Sequence, residues 1–148
     1  MDNEKIDSLI KKLLSDNPQR YIKNKINEII DKKAIKISQL IQEVPKKSGV
    51  YLIYEKEFKP ETFIYIGECD DLVRRLKGDI SRGKKRYHTF LRKIGENKTE
   101  KQIKEIIEKD YLFSYIETES KEMAFIIEGI LIRIYHSQLW NKSKKYQK

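Results

Sequence analysis

The stretch that decides the fold is SGVYLIYEKEFKPETFIYIG, residues 48–67. It contains two runs rich in β-branched and aromatic residues, Val50–Tyr54 and Phe63–Ile66, separated by eight mostly polar residues. Such runs, bounded by Ser, Pro and Gly, are typical of two antiparallel strands joined by a turn. Because Tyr51 lies near the start of one strand and Tyr65 near the end of the other, we expect the hairpin to bring both phenols to one edge of the sheet.

The chain after this hairpin is mainly helical by its apolar spacing. Asp70-Asp71 is typical of a helix start, and Gly83 ends the helix that follows. Apolar residues at helical spacing predict further helices around 90–95, 99–109 and 121–135, and residues 111–116 form a third β-rich run. The order β-β-α-α-α-β-α predicts a small α+β domain.

Residues 1–47 have a helical apolar pattern and lack the β-rich runs that follow. This pattern predicts an N-terminal helical extension to a domain over 48–148. Amphipathic patterns run through 4–15 and 19–33, and a short helix is predicted around 37–42. The apolar stripes of these helices need a covering surface. That surface is either the following domain, a second copy of the chain or a larger partner.

The positive charge of the chain is concentrated in one segment. Of the 148 residues, 32 are Lys or Arg and 23 are Asp or Glu, so the net charge is +9, and residues 74–104 alone account for +9. A solvated lysine-rich face is one interpretation, and a surface that follows nucleic-acid phosphates is the other. The residues predicted to contact nucleic acid are Arg74, Lys77, Arg82, Lys84, Lys85, Arg86, Arg92 and Lys93.

Composition excludes several classes of protein. One cysteine, Cys69, excludes an internal disulfide and any multi-cysteine zinc site, and we expect it to be a small packed residue. The longest apolar runs are too short to span a membrane, and the first residues lack the pattern of a signal peptide. We therefore expect a cytoplasmic protein without membrane contact.

A few residues stand out as candidates for chemistry. Glu128 is the only charge in the nine-residue run 124–132, where it is either a buried partner of an arginine or a ligand of Mg²⁺. Arg75 and His88 have ordinary surface interpretations as well as functional ones. The pattern contains no phosphate-binding glycine loop, no HExxH and no Ser/His/Asp grouping.

Five motifs in order resemble the GIY-YIG nuclease family over residues 48 to about 141, although Val50 replaces the usual isoleucine. A proline common before the final asparagine is missing, and a helical insertion is present around 99–109. The matching residues are Ser48–Tyr51, Ile64–Gly67, Asp71–Leu76, Tyr87–Thr89, Glu122–Glu128 and, after them, Asn141.

The resemblance implies a three-stranded antiparallel sheet flanked by helices, and a metal-dependent endonuclease acting on DNA. It implies one Mg²⁺ or Mn²⁺ ion held by Glu128, and Arg75 stabilising the phosphate. Tyr51 and Tyr65 jointly supply the general base, with His88 as an auxiliary. Asn141 organises the site without binding metal. The alternative is a nucleic-acid-binding module of the same fold with little catalysis, paired with another subunit through the N-terminal helices.

Overall fold

The computed structural model describes residues 3–4, 18–56, 63–135 and 138–139. Three strands form one antiparallel sheet in the order β2-β1-β3, which confirms the predicted α+β class and the hairpin. The strands are β1 (Gly49–Glu55), β2 (Phe63–Cys69) and β3 (Tyr111–Glu117).

Helices lie before, between and after the strands. The Asp71 carboxylate accepts a hydrogen bond from the Arg74 N–H at 3.2 Å, so the predicted helix start is confirmed. The helix that it begins has π-type hydrogen bonds, such as Ser81 N–H to Leu76 C=O at 2.9 Å, which the sequence did not predict. Within the described ranges the helices are α1 (Pro18–Asp31), α2 (Ile37–Leu40), α3 (Val73–Ile80), α4 (Thr89–Ile94), α5 (Glu100–Asp110) and α6 (Lys121–Tyr135).

The two faces of the sheet bury different side chains because successive residues of a strand point to opposite sides. One face, here called the aromatic face, packs against α2, α3, α4 and α5. The other, here called the aliphatic face, packs against α1 and α6. The aromatic face carries Tyr51, Tyr65, Tyr111, Phe113 and Tyr115. The aliphatic face carries Val50, Leu52, Ile66 and Ile116, together with the two aromatic residues Tyr54 and Phe63.

Helix α1 covers the outer edge of β3. Lys25 Nζ donates to the Glu117 carbonyl at 3.1 Å, and Lys32 Nζ donates to the Tyr115 carbonyl at 2.8 Å. Ile29 of the same helix is fully buried in the core beneath the aliphatic face. This part of the N-terminal extension therefore packs on its own domain. The predicted helix 4–15 lies almost wholly outside the described residues, and the domain boundary at residue 47 stays a prediction.

Cys69 is buried, as the sequence predicts, with 4% of its surface exposed. Burial raises the pKa of its thiol to about 12, so the side chain is a neutral packed group. None of the helices in the described ranges has the length and apolar character needed to cross a bilayer.

Candidate active site

Two glycines of the strand motifs let the sheet close around Tyr51. Tyr51 is paired with Gly67 across the β1–β2 ladder, and its phenol lies directly over that glycine. A Cβ at Gly67 would collide with the Tyr51 ring, and a Cβ at Gly49 would collide with the Ile116 carbonyl and the Leu72 side chain. Both positions therefore require glycine for close approach rather than for an unusual φ angle.

Tyr51, Tyr65 and His88 form a buried aromatic cluster on the aromatic face. The centroids of the two phenol rings are 6.3 Å apart, and the His88 ring lies 5.3 Å from that of Tyr65. Tyr51 Oη is 2.6 Å from His88 Nε2. Tyr51 is 2% exposed and His88 3%. The predicted meeting of the two phenols is confirmed by this geometry.

His88 reaches the cluster because it is the N-cap of α4. Its backbone is extended, with φ −147°, and its Nδ1 accepts a hydrogen bond from the Phe90 N–H at 3.2 Å. The chain turns at Gly83 before it reaches His88. The φ angle of Gly83 is +69°, in the left-handed region that glycine adopts without steric cost. The capping role was missed from the sequence, because histidine is not among the usual capping residues.

Arg75 faces this cluster from α3, and the structure gives it a partner that the sequence analysis missed. Arg75 Nη1 lies 3.9 Å from Asp79 Oδ2, one helical turn further on. The two side chains are 27% and 20% exposed, so their attraction is screened less than that of a surface pair, although 3.9 Å is too long for a hydrogen bond. The i, i+4 spacing of opposite charges could have indicated it.

Burial and neighbouring charges set the ionisation of the cluster. Burial raises the pKa of Tyr51 well above its ordinary value and that of Tyr65 to about 12; Arg75 opposes both shifts and Glu128 adds to both. Burial, together with Arg75 and Arg92, lowers the pKa of His88 to about 3. At neutral pH the two phenols are therefore protonated and the imidazole is uncharged.

Two carboxylates interact electrostatically with groups of the site, Glu128 with the two phenols and Glu68 with Arg75. Glu128, on α6, is half-buried, and its charge acts on both phenols, so the structure places it at the same site. Glu68 follows Gly67 on β2, and its Oε2 is buried without a hydrogen-bond partner. Burial raises the pKa of Glu68, while Lys121 and Arg75 lower it. Glu68 was not predicted from the sequence, although its place directly after the second motif was a signal.

Some of the residues predicted to contact nucleic acid have partners within the protein, and most of them are exposed to solvent. Lys85 Nζ donates to the carbonyls of Gly95 and Lys98 at 3.1 and 2.9 Å, and thus braces the turn before α4. Arg74 is paired with Asp70, and Arg92 donates to the Arg86 carbonyl. The contacts are largely open to solvent: Arg74, Lys77, Arg82, Arg86, Arg92 and Lys93 are exposed, and Lys84 and Lys85 half-buried. Asn141 lies outside the described residues.

The three-stranded antiparallel sheet and its flanking helices match a GIY-YIG-like domain, which confirms the predicted resemblance. The chain is similar to the UvrABC system protein C of Petrotoga mobilis, with 34% identity over 96 residues. That match covers 65% of this chain, and the chain spans only 14% of the length of that curated relative. No protein-family model matches the chain.

Two solved structures share a weaker likeness. The GIY-YIG N-terminal endonuclease domain of UvrC from Thermotoga maritima, bound to its catalytic magnesium, is 24% identical with a TM-score of 0.44. A Tyr-to-Phe point mutant of that domain, bound to its catalytic divalent cation, is 27% identical with a TM-score of 0.42. The first match covers 68% of this chain and 90% of the other, and the second 68% and 89%.

Proposed function

We propose that this chain is a metal-dependent endonuclease that hydrolyses phosphodiester bonds in DNA. The observation that carries the proposal is that an arginine, Arg75, and a carboxylate, Glu128, both act electrostatically on the histidine-bound phenol of Tyr51. Phosphodiester hydrolysis needs an activated water, stabilisation of charge on phosphorus and relief of charge on the leaving oxygen. The site offers one group for each need.

Arg75 stabilises the charge that develops on the phosphate. Its guanidinium is permanently charged and presents several donors, so it suits two non-bridging oxygens at once. The carboxylate of Asp79, 3.9 Å away and one turn further along α3, attracts the guanidinium and restricts its positions. A guanidinium that is held before the substrate arrives needs little reorganisation during the reaction.

A buried phenol takes the proton from water. The shifts described above work against this role at neutral pH, because burial raises the pKa of Tyr51 and of Tyr65. The proposal therefore requires positive charge near the phenol oxygens when the site is complete. Arg75 supplies part of it, since its charge lowers both pKa values.

The donor set fits a divalent cation of the hard, oxygen-binding kind. Glu128 offers a half-buried carboxylate beside the two phenols, and Mg²⁺ is commonly bound by one or two carboxylates with water and substrate phosphate. Across the described residues no three acidic, histidine or cysteine side chains form a ready-made cage. When bound at Glu128, one Mg²⁺ or Mn²⁺ ion would stabilise the leaving oxygen and offset the charge that Glu128 imposes on the phenols.

The exposed cations of residues 74–93 contact the nucleic-acid backbone in this proposal. Arg75 is on α3, and Lys77 and Arg82 continue outward from it to solvent. Contacts with phosphate position the substrate without reading its sequence, and they weaken as salt rises. Binding is therefore expected to be strongly salt-dependent and tolerant of sequence.

The test is cleavage of supercoiled plasmid DNA with Mg²⁺ or Mn²⁺, with and without chelator. Glu128→Gln and Arg75→Ala are each expected to lower kcat at least about 100-fold, the usual cost of losing such a charged group. The matched controls are Glu122→Gln for Glu128→Gln and Arg133→Ala for Arg75→Ala. Both control residues lie on α6, the helix of Glu128, and both variants should cleave normally. Circular dichroism checks that all four variants remain folded.

Activity that survives in both Glu128→Gln and Arg75→Ala would contradict the proposal. Salt-sensitive binding of DNA without any metal-dependent cleavage would favour the binding-module alternative. Parallel assays with single-stranded DNA and RNA of the same sequence decide the substrate. Sedimentation of the full chain tests whether the N-terminal extension pairs with a second copy.

A further inference from the structure

His88 has a different partner on each ring nitrogen. Nδ1 accepts from the Phe90 N–H at 3.2 Å, and Nε2 lies 2.6 Å from Tyr51 Oη. A backbone N–H can only donate, so Nδ1 must offer its lone pair and carries no hydrogen. A neutral imidazole has one N–H, and it is therefore on Nε2, directed at the Tyr51 oxygen.

The other two forms of the ring conflict with this geometry. A tautomer with hydrogen on Nδ1 would set that N–H against the Phe90 N–H, donor facing donor, and would leave the start of α4 uncapped. The imidazolium would do the same and would also add a positive charge beside Arg75 and Arg92 in a buried place.

We propose that His88 is a positioning residue that donates its Nε2–H to Tyr51 Oη and stabilises the phenolate of Tyr51, instead of accepting the Tyr51 proton. The inference rests on the proposed function in giving Tyr51 a part in cleavage. Tyr51 first releases its phenol proton to solvent, and in the transfer water gives a proton to the resulting phenolate, which becomes a phenol again. The Nε2–H bond of His88 neither forms nor breaks.

The same geometry distinguishes the two tyrosines. Tyr51 receives a hydrogen bond from the His88 ring, whose orientation is set by the Phe90 N–H at its other nitrogen. Tyr65 contacts His88 only ring to ring, with 5.3 Å between the centroids. A hydrogen bond to a charged oxygen is stronger than one to a neutral oxygen. Burial disfavours the anions of both tyrosines, and the hydrogen bond from His88 Nε2–H offsets part of that cost for Tyr51. Tyr51 is therefore assigned as the general base.

The direct test is the tautomer of His88 in the full-length wild-type chain. Long-range ¹⁵N–¹H correlation spectra of the imidazoles distinguish the two neutral tautomers and the cation, and the variant His136→Gln identifies which of the two histidine signals belongs to His88. We expect the neutral Nε2–H form at neutral pH. A proton on Nδ1, in either the other tautomer or the imidazolium, would overturn the inference.

Two substitutions separate the cap from the donor. His88→Asn keeps an acceptor near Nδ1 but has no donor that reaches Tyr51, and we expect kcat to fall about 10- to 100-fold, as for a lost hydrogen bond to a charged group. His88→Gln can place an amide N–H near the position of Nε2, and we expect it to recover most of that loss. Equal losses in both variants would contradict the donor role.

The cleavage assay and the histidine spectrum distinguish a failure of the proposed function from a failure of the donor role. If the wild-type chain cleaves no nucleic acid with any divalent metal, the proposed function is wrong, while the spectrum still reports the direction of the His88–Tyr51 hydrogen bond. If cleavage occurs and the spectrum shows hydrogen on Nδ1, the proposed function stands and the donor role is wrong.

Discussion

The two faces of the same three strands have different tasks. On β1, Tyr51 belongs to the aromatic face and Leu52, the next residue, to the aliphatic face; both are 2% exposed or less. The aromatic face buries hydroxyl and imidazole groups, and the His88–Tyr51 contact at 2.6 Å gives those groups partners. The aliphatic face buries mainly carbon, and its Tyr54 and Ser114 hydroxyls lie 3.5 Å from each other. We infer that the first face is shaped by chemistry and the second by packing.

The largest expected effect on stability comes from the aliphatic face. Leu52→Ala should lower the free energy of unfolding by about 2–5 kcal/mol, because Leu52 is fully buried and its loss leaves a cavity. Urea denaturation measures this. Cleavage per folded molecule should be unchanged. Ile134→Ala, at a position 60% exposed, is the control and should change stability by no more than about 0.5 kcal/mol. If Leu52→Ala abolished cleavage while folded, the division between the faces would be wrong.

A pH-dependent effect is expected from the aromatic face. The pKa of His88 is about 3 in the fold against an ordinary 6.5, so below pH 6.5 the unfolded chain takes up a proton that the folded chain does not. Stability from this group is complete above 6.5 and falls as pH drops towards 3, by up to about 1.4 kcal/mol per pH unit. Urea midpoints measured from about pH 7 to about pH 4 should fall less steeply in His88→Asn. An identical slope in both proteins would show that His88 is not held neutral.

The smallest effect is expected at the outer edge of β3, which belongs to neither face. Lys32 Nζ donates to the Tyr115 carbonyl at 2.8 Å and lies 3.7 Å from the centroid of the Tyr115 ring. Lys32→Met removes both contacts and should lower the free energy of unfolding by about 1 kcal/mol. Lys33→Met, at the exposed neighbouring position, should leave it unchanged. A similar result in both variants would remove any special role for Lys32.

The strands were predictable because their pattern is local. The β-rich runs at 50–54, 63–66 and 111–116 all lie within the observed strands, and the predicted helix 121–135 has the bounds of α6. What could not be predicted depends on tertiary contacts. The Tyr51–His88 hydrogen bond joins residues 37 positions apart, and no spacing rule reports which ring nitrogen faces which partner.

The candidate site was predictable only in part, for a related reason. Residue types indicated Arg75 and Glu128, but their surroundings did not follow from the sequence. Glu128 is half-buried rather than enclosed in its apolar run, because α6 presents it at the rim of the site. Glu68 and Asp79 were overlooked, although the i, i+4 spacing of Arg75 and Asp79 and the place of Glu68 after the second motif were local signals.

The lysines of α1 have a consequence for how copies of this chain meet one another. An open strand edge offers carbonyls and N–H groups in a row and is a template for a strand from another molecule. Here Lys25 and Lys32 donate hydrogen bonds to two carbonyls of β3. Ile35 forms an antiparallel bridge with Phe113, in which the N–H of each residue donates to the C=O of the other. Removing residues 18–36 would therefore expose the unpaired outer edge of β3. The shortened chain should then form aggregates in which strands of different molecules pair.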